Sequence, residues 1–258
     1  MPHDSGVSMI KSVIFDIDNT LYSYDLAHET AFAALKSYAE KELCIAPDEF
    51  KELHTEANEA IKQRLGNCAA IHNRLIRYQY IIEKLHKPLI HAQRMDDLYW
   101  NTLIGCSVPS PQAADVMREL KASGISLGIC TDMTSYLQFT KLDKLGLIEY
   151  VDFIVSSEEA GAEKPDRAIF ELAVSKSGFN PEECLYVGDS YKKDVLGAHS
   201  CGMPAAWYTY HIAGKLSETD ISEKPLLPAM TYDPEYSVSG GPAMYHITGL
   251  TELLKIVK

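Results

Sequence analysis

Positive charge is what this chain is short of: 24 lysines and arginines stand against 36 aspartates and glutamates in 258 residues, a formal net charge of −12. Nucleic acid and anionic membrane surfaces are therefore not expected partners, because both are bound through basic patches. An anionic small molecule is not excluded, but it needs local positive charge from a metal, a lysine or backbone N–H groups. Paired cysteines are also missing. The six cysteines (Cys44, Cys68, Cys106, Cys130, Cys184, Cys201) are scattered with no Cys-x-x-Cys, which argues against a zinc site and a disulfide framework. Buried free thiols in a reducing cytoplasm are the expectation. No apolar run reaches the roughly 18 residues of a membrane span, and no basic-then-apolar leader opens the chain. Met1 to Ser8 is polar, precedes a second methionine at Met9, and reads as a leader outside the fold or a misassigned start.

What is present is an ordinary globular composition, 46% hydrophobic and 23% charged, long enough for a sizeable core or a core with a smaller companion. Its most informative stretch is Val13-Ile14-Phe15-Asp16-Ile17-Asp18-Asn19-Thr20-Leu21. A short apolar run ending in a polar turn predicts a buried parallel strand that delivers its last side chains at the sheet's carboxyl edge, where ligands bind in open α/β sheets. Two acids one residue apart there repel unless a cation or a shared proton lies between them. A solvated acidic turn is the plain alternative, and the strands downstream decide between the two.

After Leu21 the apolar period becomes helical for about 80 residues. Helices are predicted over Leu26 to Leu43, with a break near Pro47, then over Asp48 to Leu65, over His72 to Leu85, and through Tyr99, Trp100 and Leu103 beyond Pro88. Connections in α/β units are usually a few residues long, so an insertion of this size predicts a separate lobe, placed to act as a lid. From Ser110 the α/β alternation resumes. Ser110 and Pro111 read as an N-cap and first helical residue for a helix over Gln112 to Ser123 that Gly124 closes. Strands follow over Ile125 to Cys130, ending in Thr131-Asp132, over Val151 to Val155, over Cys184 to Val187, ending in Gly188-Asp189-Ser190, and over Met203 to Tyr208. Between them lie a helix over Ser135 to Leu145, one capped by Asp166 and closed by Gly178, and one beginning near Tyr191. Five strands alternating with helices predict a parallel sheet covered on both faces. Tyr210 to about Tyr245 reads as an extended surface excursion, and Leu250 to Val257 as a terminal helix.

Each polar strand end supplies something that phosphoryl transfer requires. Asp16 is the candidate nucleophile, since a carboxylate can attack phosphorus and form an acyl phosphate. Asp18 is suited to protonate the leaving oxygen and then to activate water, which requires a raised pKa there while that of Asp16 stays low beside a cation. Thr131 offers a hydroxyl and a backbone N–H to a phosphoryl oxygen. Lys164, in Glu163-Lys164-Pro165-Asp166, is a compact charge apt to neutralise phosphate and hold the nucleophile. Asp189 completes a site for a hard, oxygen-loving cation, with magnesium the natural choice. Asp194 either supports that site from behind or only favours its own helix terminus. His72, Asn73, Arg74 and Arg77 cluster in one predicted helix, where Arg74 or Arg77 would reach a second anionic group of the substrate; a solvated helix face is the alternative.

These residues resemble the four ordered motifs of the haloacid dehalogenase (HAD) superfamily: Asp16-Ile17-Asp18-Asn19-Thr20-Leu21, Thr131, Lys164-Pro165, and Gly188-Asp189-Ser190-Tyr191-Lys192-Lys193-Asp194. The resemblance implies an α/β fold, a Rossmann-like three-layer parallel-sheet core formed by residues 9–21 and 107–258, with an all-helical cap inserted at 22–106. It also implies Asp16 as nucleophile and Mg2+ held by the Asp16 carboxylate, the Asp18 backbone carbonyl and the Asp189 carboxylate. Relatives that displace halide need no metal and lack the second acid, so Asp18 speaks for a phosphatase acting on a small phosphorylated metabolite. A phosphotransferase or mutase using the same aspartyl phosphate is the alternative, and a non-catalytic metal or phosphate-ligand binding module is the reading from another class. One departure stands out. Relatives commonly carry asparagine where this chain has Asp132, and a carboxylate there is expected to point away from phosphate or to be held by a donor.

Overall fold

A computed structural model describes residues 9–66, 69–216, 227–228 and 241–257. Seven strands form one sheet: β1 (Ser12–Phe15), β2 (Ser126–Thr131), β3 (Phe153–Ser156), β4 (Cys184–Gly188), β5 (Ala205–Tyr208), β6 (Leu227–Pro228) and β7 (Met244–Ile247). Their order is β3-β2-β1-β4-β5-β7-β6, and every pairing is parallel. Strand β1 is buried throughout, with Val13 and Phe15 in one apolar cluster and Ile14 in another. That alternation is the two-residue period of a strand, and it shows a sheet covered on both faces. Because β1 lies between β2 and β4, the connections leave it in opposite directions. A crevice therefore opens at the carboxyl ends of these strands.

Helices α1 (Tyr24–Tyr38), α2 (Pro47–Leu65), α3 (Arg74–Lys84) and α4 (Ile90–Cys106) fill the insertion after β1. Ser23 and Asn73 cap α1 and α3 through their side chains, and Pro47 opens α2 at a position where its missing N–H costs nothing. The insertion leaves and rejoins the sheet at one place. Tyr22 and Pro109 form an isolated antiparallel bridge, and Ser110 N–H donates to the Leu21 carbonyl at 2.7 Å. Then come α5 (Ala113–Ala122), α6 (Ser135–Lys144), α7 (Ser157–Ala160), α8 (Arg167–Ser177), α9 (Leu196–Ser200) and α10 (Leu253–Ile256). Asp166 and Gly178 delimit α8 as expected. Among the described residues no helix is long and apolar enough to cross a membrane.

Several expectations need correction. Ser110 does not cap α5; Gln112 does, in a left-handed conformation, while the Ser110 hydroxyl bonds the Thr20 carbonyl and His211 at the chain crossing. His72 belongs to a 3-10 turn and Asn73 to the cap, so α3 starts at Arg74. The sheet has more than five strands. Met244–Ile247, read from sequence as the end of the excursion, pairs with β5, where sheet pairing overrides its weak local pattern. Most of the predicted excursion, 217–226 and 229–240, lies outside the described residues, as do Met1 to Ser8 and Cys68. Of the other cysteines, Cys130, Cys184 and Cys201 are buried, but Cys44 and Cys106 are exposed; all five are free.

Candidate active site

The crevice gathers side chains from five separate stretches of chain. Asp16 follows β1 directly, its N–H bonded to the Val187 carbonyl of β4 at 2.9 Å, so its position is tied to two strands at once. Asn19 then takes a left-handed conformation, φ 57°, which asparagine tolerates better than most residues, and its side chain accepts from Asp25 N–H. This turn carries Asp18 back over the strand end. Thr131 ends β2, Asp189 follows β4, and Lys164 arrives on the loop after β3. All of these line one cavity of about 350 Å³, together with Asp18, Asp132 and Asp194 from the sheet side and Arg74, Arg77 and His72 from the helical side.

Lys164 is the electrostatic centre of the sheet side. Its buried ammonium lies 2.8 Å from Asp16 Oδ1 and 2.7 Å from Asp194 Oδ1, and it donates to the Tyr186 hydroxyl at 3.2 Å. Burial alone would lower its pKa, but the Asp16 and Asp194 carboxylates hold it well above the usual lysine value. Asp16 itself is pushed up to about 7 by burial, with Lys164 opposing and Asp194 and Asp18 adding. Burial, then the charges of Asp16 and Asp194, push Asp189 up to about 8. One lysine does not balance three clustered carboxylates.

A ligand oxygen from each of Asp16, Asp189 and Asp194 falls within 4.8 Å of the others. The donor set is all oxygen and the surplus is negative, which suits a hard divalent cation. The three are not equivalent. Both oxygens of Asp194 are already engaged, Oδ1 by Lys164 and Tyr186 and Oδ2 by Ser190 N–H at 2.8 Å. The Asp189 carboxylate accepts no hydrogen bond from any described residue, so Asp16 and Asp189 are the better side-chain ligands. A Cβ at Gly188 would collide with the Asp194 carboxyl group, which is why the residue before Asp189 has none.

Asp132, the departure from the expected asparagine, is held by donors. Lys164 N–H reaches its Oδ1 at 2.9 Å and Lys193 Nζ its Oδ2 at 2.8 Å. Burial opposes ionisation there, yet the charges of Lys164 and Lys193 keep the Asp132 pKa below the ordinary carboxylate value. Thr131 Oγ1 accepts from the fully buried Gln138 at 3.1 Å.

Sequence reasoning missed a residue of equal weight. Lys141, on α6, is 1% exposed and bonds both oxygens of Asp18, at 2.7 and 3.0 Å, while Tyr22 donates to Oδ1 at 2.6 Å. The ammonium is ringed by Tyr22, Tyr24 and Trp100, each within 5.9 Å, so it is sheltered from water as well as paired. Nothing in the local sequence marks it, because the partners are 123 residues apart. On the helical side, His72 Nε2 lies 2.9 Å from Glu163 Oε1, the residue before Lys164, and so brings the insertion against the loop that carries Lys164.

A parallel sheet with acids at its carboxyl edge, a buried lysine among them and a helical insertion after β1 defines a class of hydrolase, and the comparisons agree. The family model described as haloacid dehalogenase-like hydrolase matches residues 10–202, and the chain belongs to that family. It is 32% identical over 199 residues to the ribulose-1,5-bisphosphate 5-phosphatase of Halopiger xanaduensis, covering 76% of this chain and 83% of that one. With the glyceraldehyde 3-phosphate phosphatase of Methanocaldococcus jannaschii it shares 30% identity over 251 residues, 97% of this chain and 98% of the relative. Among solved structures, a 2-haloacid dehalogenase from Pseudomonas syringae superposes with a TM-score of 0.70 at 22% identity, covering 96% of this chain and 98% of that one, and shows the same fold.

Proposed function

We propose that this chain is a magnesium-dependent phosphatase that hydrolyses a small phosphorylated metabolite through an aspartyl phosphate on Asp16. The observation that carries the reading is the division between two acids two residues apart. Asp16 sits among Lys164, Asp189 and Asp194, where a phosphoryl group would arrive, whereas Asp18 is turned to Lys141 and Tyr22. The named activities of its relatives, on ribulose 1,5-bisphosphate and glyceraldehyde 3-phosphate, support the same substrate class.

A carboxylate oxygen of Asp16 attacks phosphorus and the ester P–O bond breaks. Asp18 gives its proton to the departing alkoxide oxygen. In the second half Asp18 takes a proton from water, the water oxygen attacks the same phosphorus, and inorganic phosphate leaves with Asp16 regenerated. Thr131 donates to a phosphoryl oxygen throughout. Lys164 keeps Asp16 in place and offsets the phosphoryl charge. Mg2+ would be held by the Asp16 and Asp189 carboxylates and the Asp18 backbone carbonyl, with Asp194 fixing Lys164 and the Ser190 turn from behind. When bound, it neutralises phosphoryl oxygens and the surplus of acids around them. Residues 22–106 serve as the cap and 9–21 with 107–258 as the core; the cap excludes water from the reacting centre. Free cysteines and the charge balance fit a cytoplasmic enzyme.

The test is release of inorganic phosphate from a panel of phosphorylated metabolites, with and without Mg2+, by the parent and by Asp16→Asn. We expect turnover that requires the metal and falls by about a thousand-fold or more in the variant, roughly 4 kcal/mol of barrier. Unchanged turnover in Asp16→Asn would remove the nucleophile assignment. Rearrangement of a sugar phosphate without phosphate release would make the chain a phosphotransferase.

A further inference from the structure

The helical wall of the cavity holds two buried cations that the hydrolysis of a phosphate ester does not use. Arg74 is 6% exposed and Arg77 9%, and both line the same cavity as Asp16. Arginine is among the residues least often buried without a counter-charge, because desolvating the guanidinium is costly. Here neither forms a salt bridge with any described residue. Arg74 donates through Nη2 to the Tyr24 hydroxyl at 2.6 Å and lies over Tyr99, 4.0 Å from the ring centre, and Trp100, at 5.4 Å. Arg77 donates through Nη2 to the Ile71 carbonyl. The Nε–H of each has no acceptor although it is buried. Each guanidinium carries five donors in a planar fork, so among the described residues most of that capacity is unspent.

Their surroundings differ: burial works against both, but Arg74 is held above the ordinary arginine value and Arg77 falls below it. The opposite charges whose fields reach Arg74 are Asp18, bonded to Lys141, and Asp96; neither is bonded to Arg74. Burial and then the charge of Arg74 lower the pKa of Arg77. His54 Nε2 and Asn58 Oδ1, on the neighbouring α2, are likewise buried and unpartnered. Two buried like charges facing one cavity, Arg74 also stacked on aromatic rings, are a recognition site for an anion that comes with the ligand. Under the phosphatase reading one phosphoryl group lies beside Asp16 and Lys164 in the same cavity.

The geometry points to Arg74 and Arg77 as a second anion subsite, which makes the substrate a phosphate ester whose far end carries another anionic oxyacid group, a carboxylate or a second phosphate. Because Arg74 and Arg77 line the same cavity as Asp16 and Lys164, one small ligand can reach both ends. Arg74, clamped by Tyr24, Tyr99 and Trp100, sets the position of the subsite. Arg77, with fewer contacts, supplies the more adjustable fork. The inference rests on the phosphatase reading for where the first phosphate lies.

Calorimetric titration of the Asp16→Asn chain in Mg2+ tests it with three esters that differ at one end: propyl phosphate, 3-(phosphonooxy)propanoate and propane-1,3-diol bisphosphate. Both doubly anionic esters should bind about ten-fold to a hundred-fold more tightly than propyl phosphate, the range expected of charge-assisted hydrogen bonds. The tighter of the two identifies the second group as carboxylate or phosphate. Adding Arg77→Met should erase the preference, and Arg77→Lys should restore part of it. Equal binding of all three esters overturns the subsite without any arginine variant having to fold, and so does an equal loss for all three in Arg77→Met. Phosphate release by the parent chain separates the two readings. Arg77-dependent binding with no release from any ester removes the phosphatase and leaves the subsite. Release with equal kcat/KM from all three removes the subsite and leaves the phosphatase.

Discussion

The two walls of the cavity manage buried charge in opposite ways. On the sheet side most buried charges meet an opposite within hydrogen-bond distance: Lys164 with Asp16 and Asp194, Lys141 with Asp18, Asp132 with Lys193; Asp189, left for the cation, is the exception. On the helical side Arg74 and Arg77 meet, among the described residues, hydroxyl, carbonyl and aromatic groups only. The sheet side is set before a ligand arrives, as a site that must act on developing charge needs to be. The helical side keeps its donors in reserve, as suits a surface that selects which ligand stays.

Breaking the sheet side at its centre should have the largest effect. Lys164→Ala leaves Asp16 and Asp194 buried with no cation between them, and removing one partner of a buried pair costs about 3–5 kcal/mol. We expect a correspondingly lower urea midpoint in chelator, partly recovered by Mg2+, and no measurable phosphate release. Full stability in chelator would mean that the lysine's pairing is incidental. Lys141→Met should act on catalysis: with Asp18 released from its clamp, kcat should fall by about a hundred-fold while KM changes little. A change in KM alone would place Lys141 in substrate binding.

The helical side offers a pH test. Burial, then Arg74 and Arg77, lower the pKa of His54 to about 3. The unfolded chain therefore takes up this proton first, as the pH falls through about 6.5. Stability from neutral His54 is fully present above that value and is lost progressively toward pH 3. Urea midpoints between pH 7 and 5 should fall more steeply for the parent than for His54→Leu, and parallel slopes would show that His54 titrates normally. The smallest expected effect is at the junction of the two walls. His72→Ala removes the contact with Glu163, and kcat/KM should fall by about two- to five-fold, the worth of a partly exposed pair. A larger loss would give His72 a role in the chemistry.

How much was legible depends on how local each signal is. Asp16, Asp18, Thr131, Lys164, Asp189 and Asp194 were all picked out from sequence, and the fold brings every one of them to a single cavity. They sit in or just after short apolar strands, and a strand end is a position that sequence periodicity can find. Arg74 and Arg77 were picked out as well, though with a solvated helix face as the alternative; they are buried instead. The residues that escaped, Lys141, Gln138 and Tyr186, hold the others in place across the fold, and their own neighbourhoods carry no motif. Strand β7 escaped for a similar reason, since four residues of mixed character become a strand only beside β5.

By itself the sequence determined the first five strands and the helices between them, the insertion after the first strand and the acids and lysine of the site, because periodicity, caps and strand ends are properties of neighbouring residues. Only the tertiary structure decided that Lys141 clamps Asp18, that Asp132 is held by Lys193, and that two arginines are buried with no acidic partner among the described residues. Those facts depend on which surfaces the chain closes away from water, and burial is a property of the whole fold.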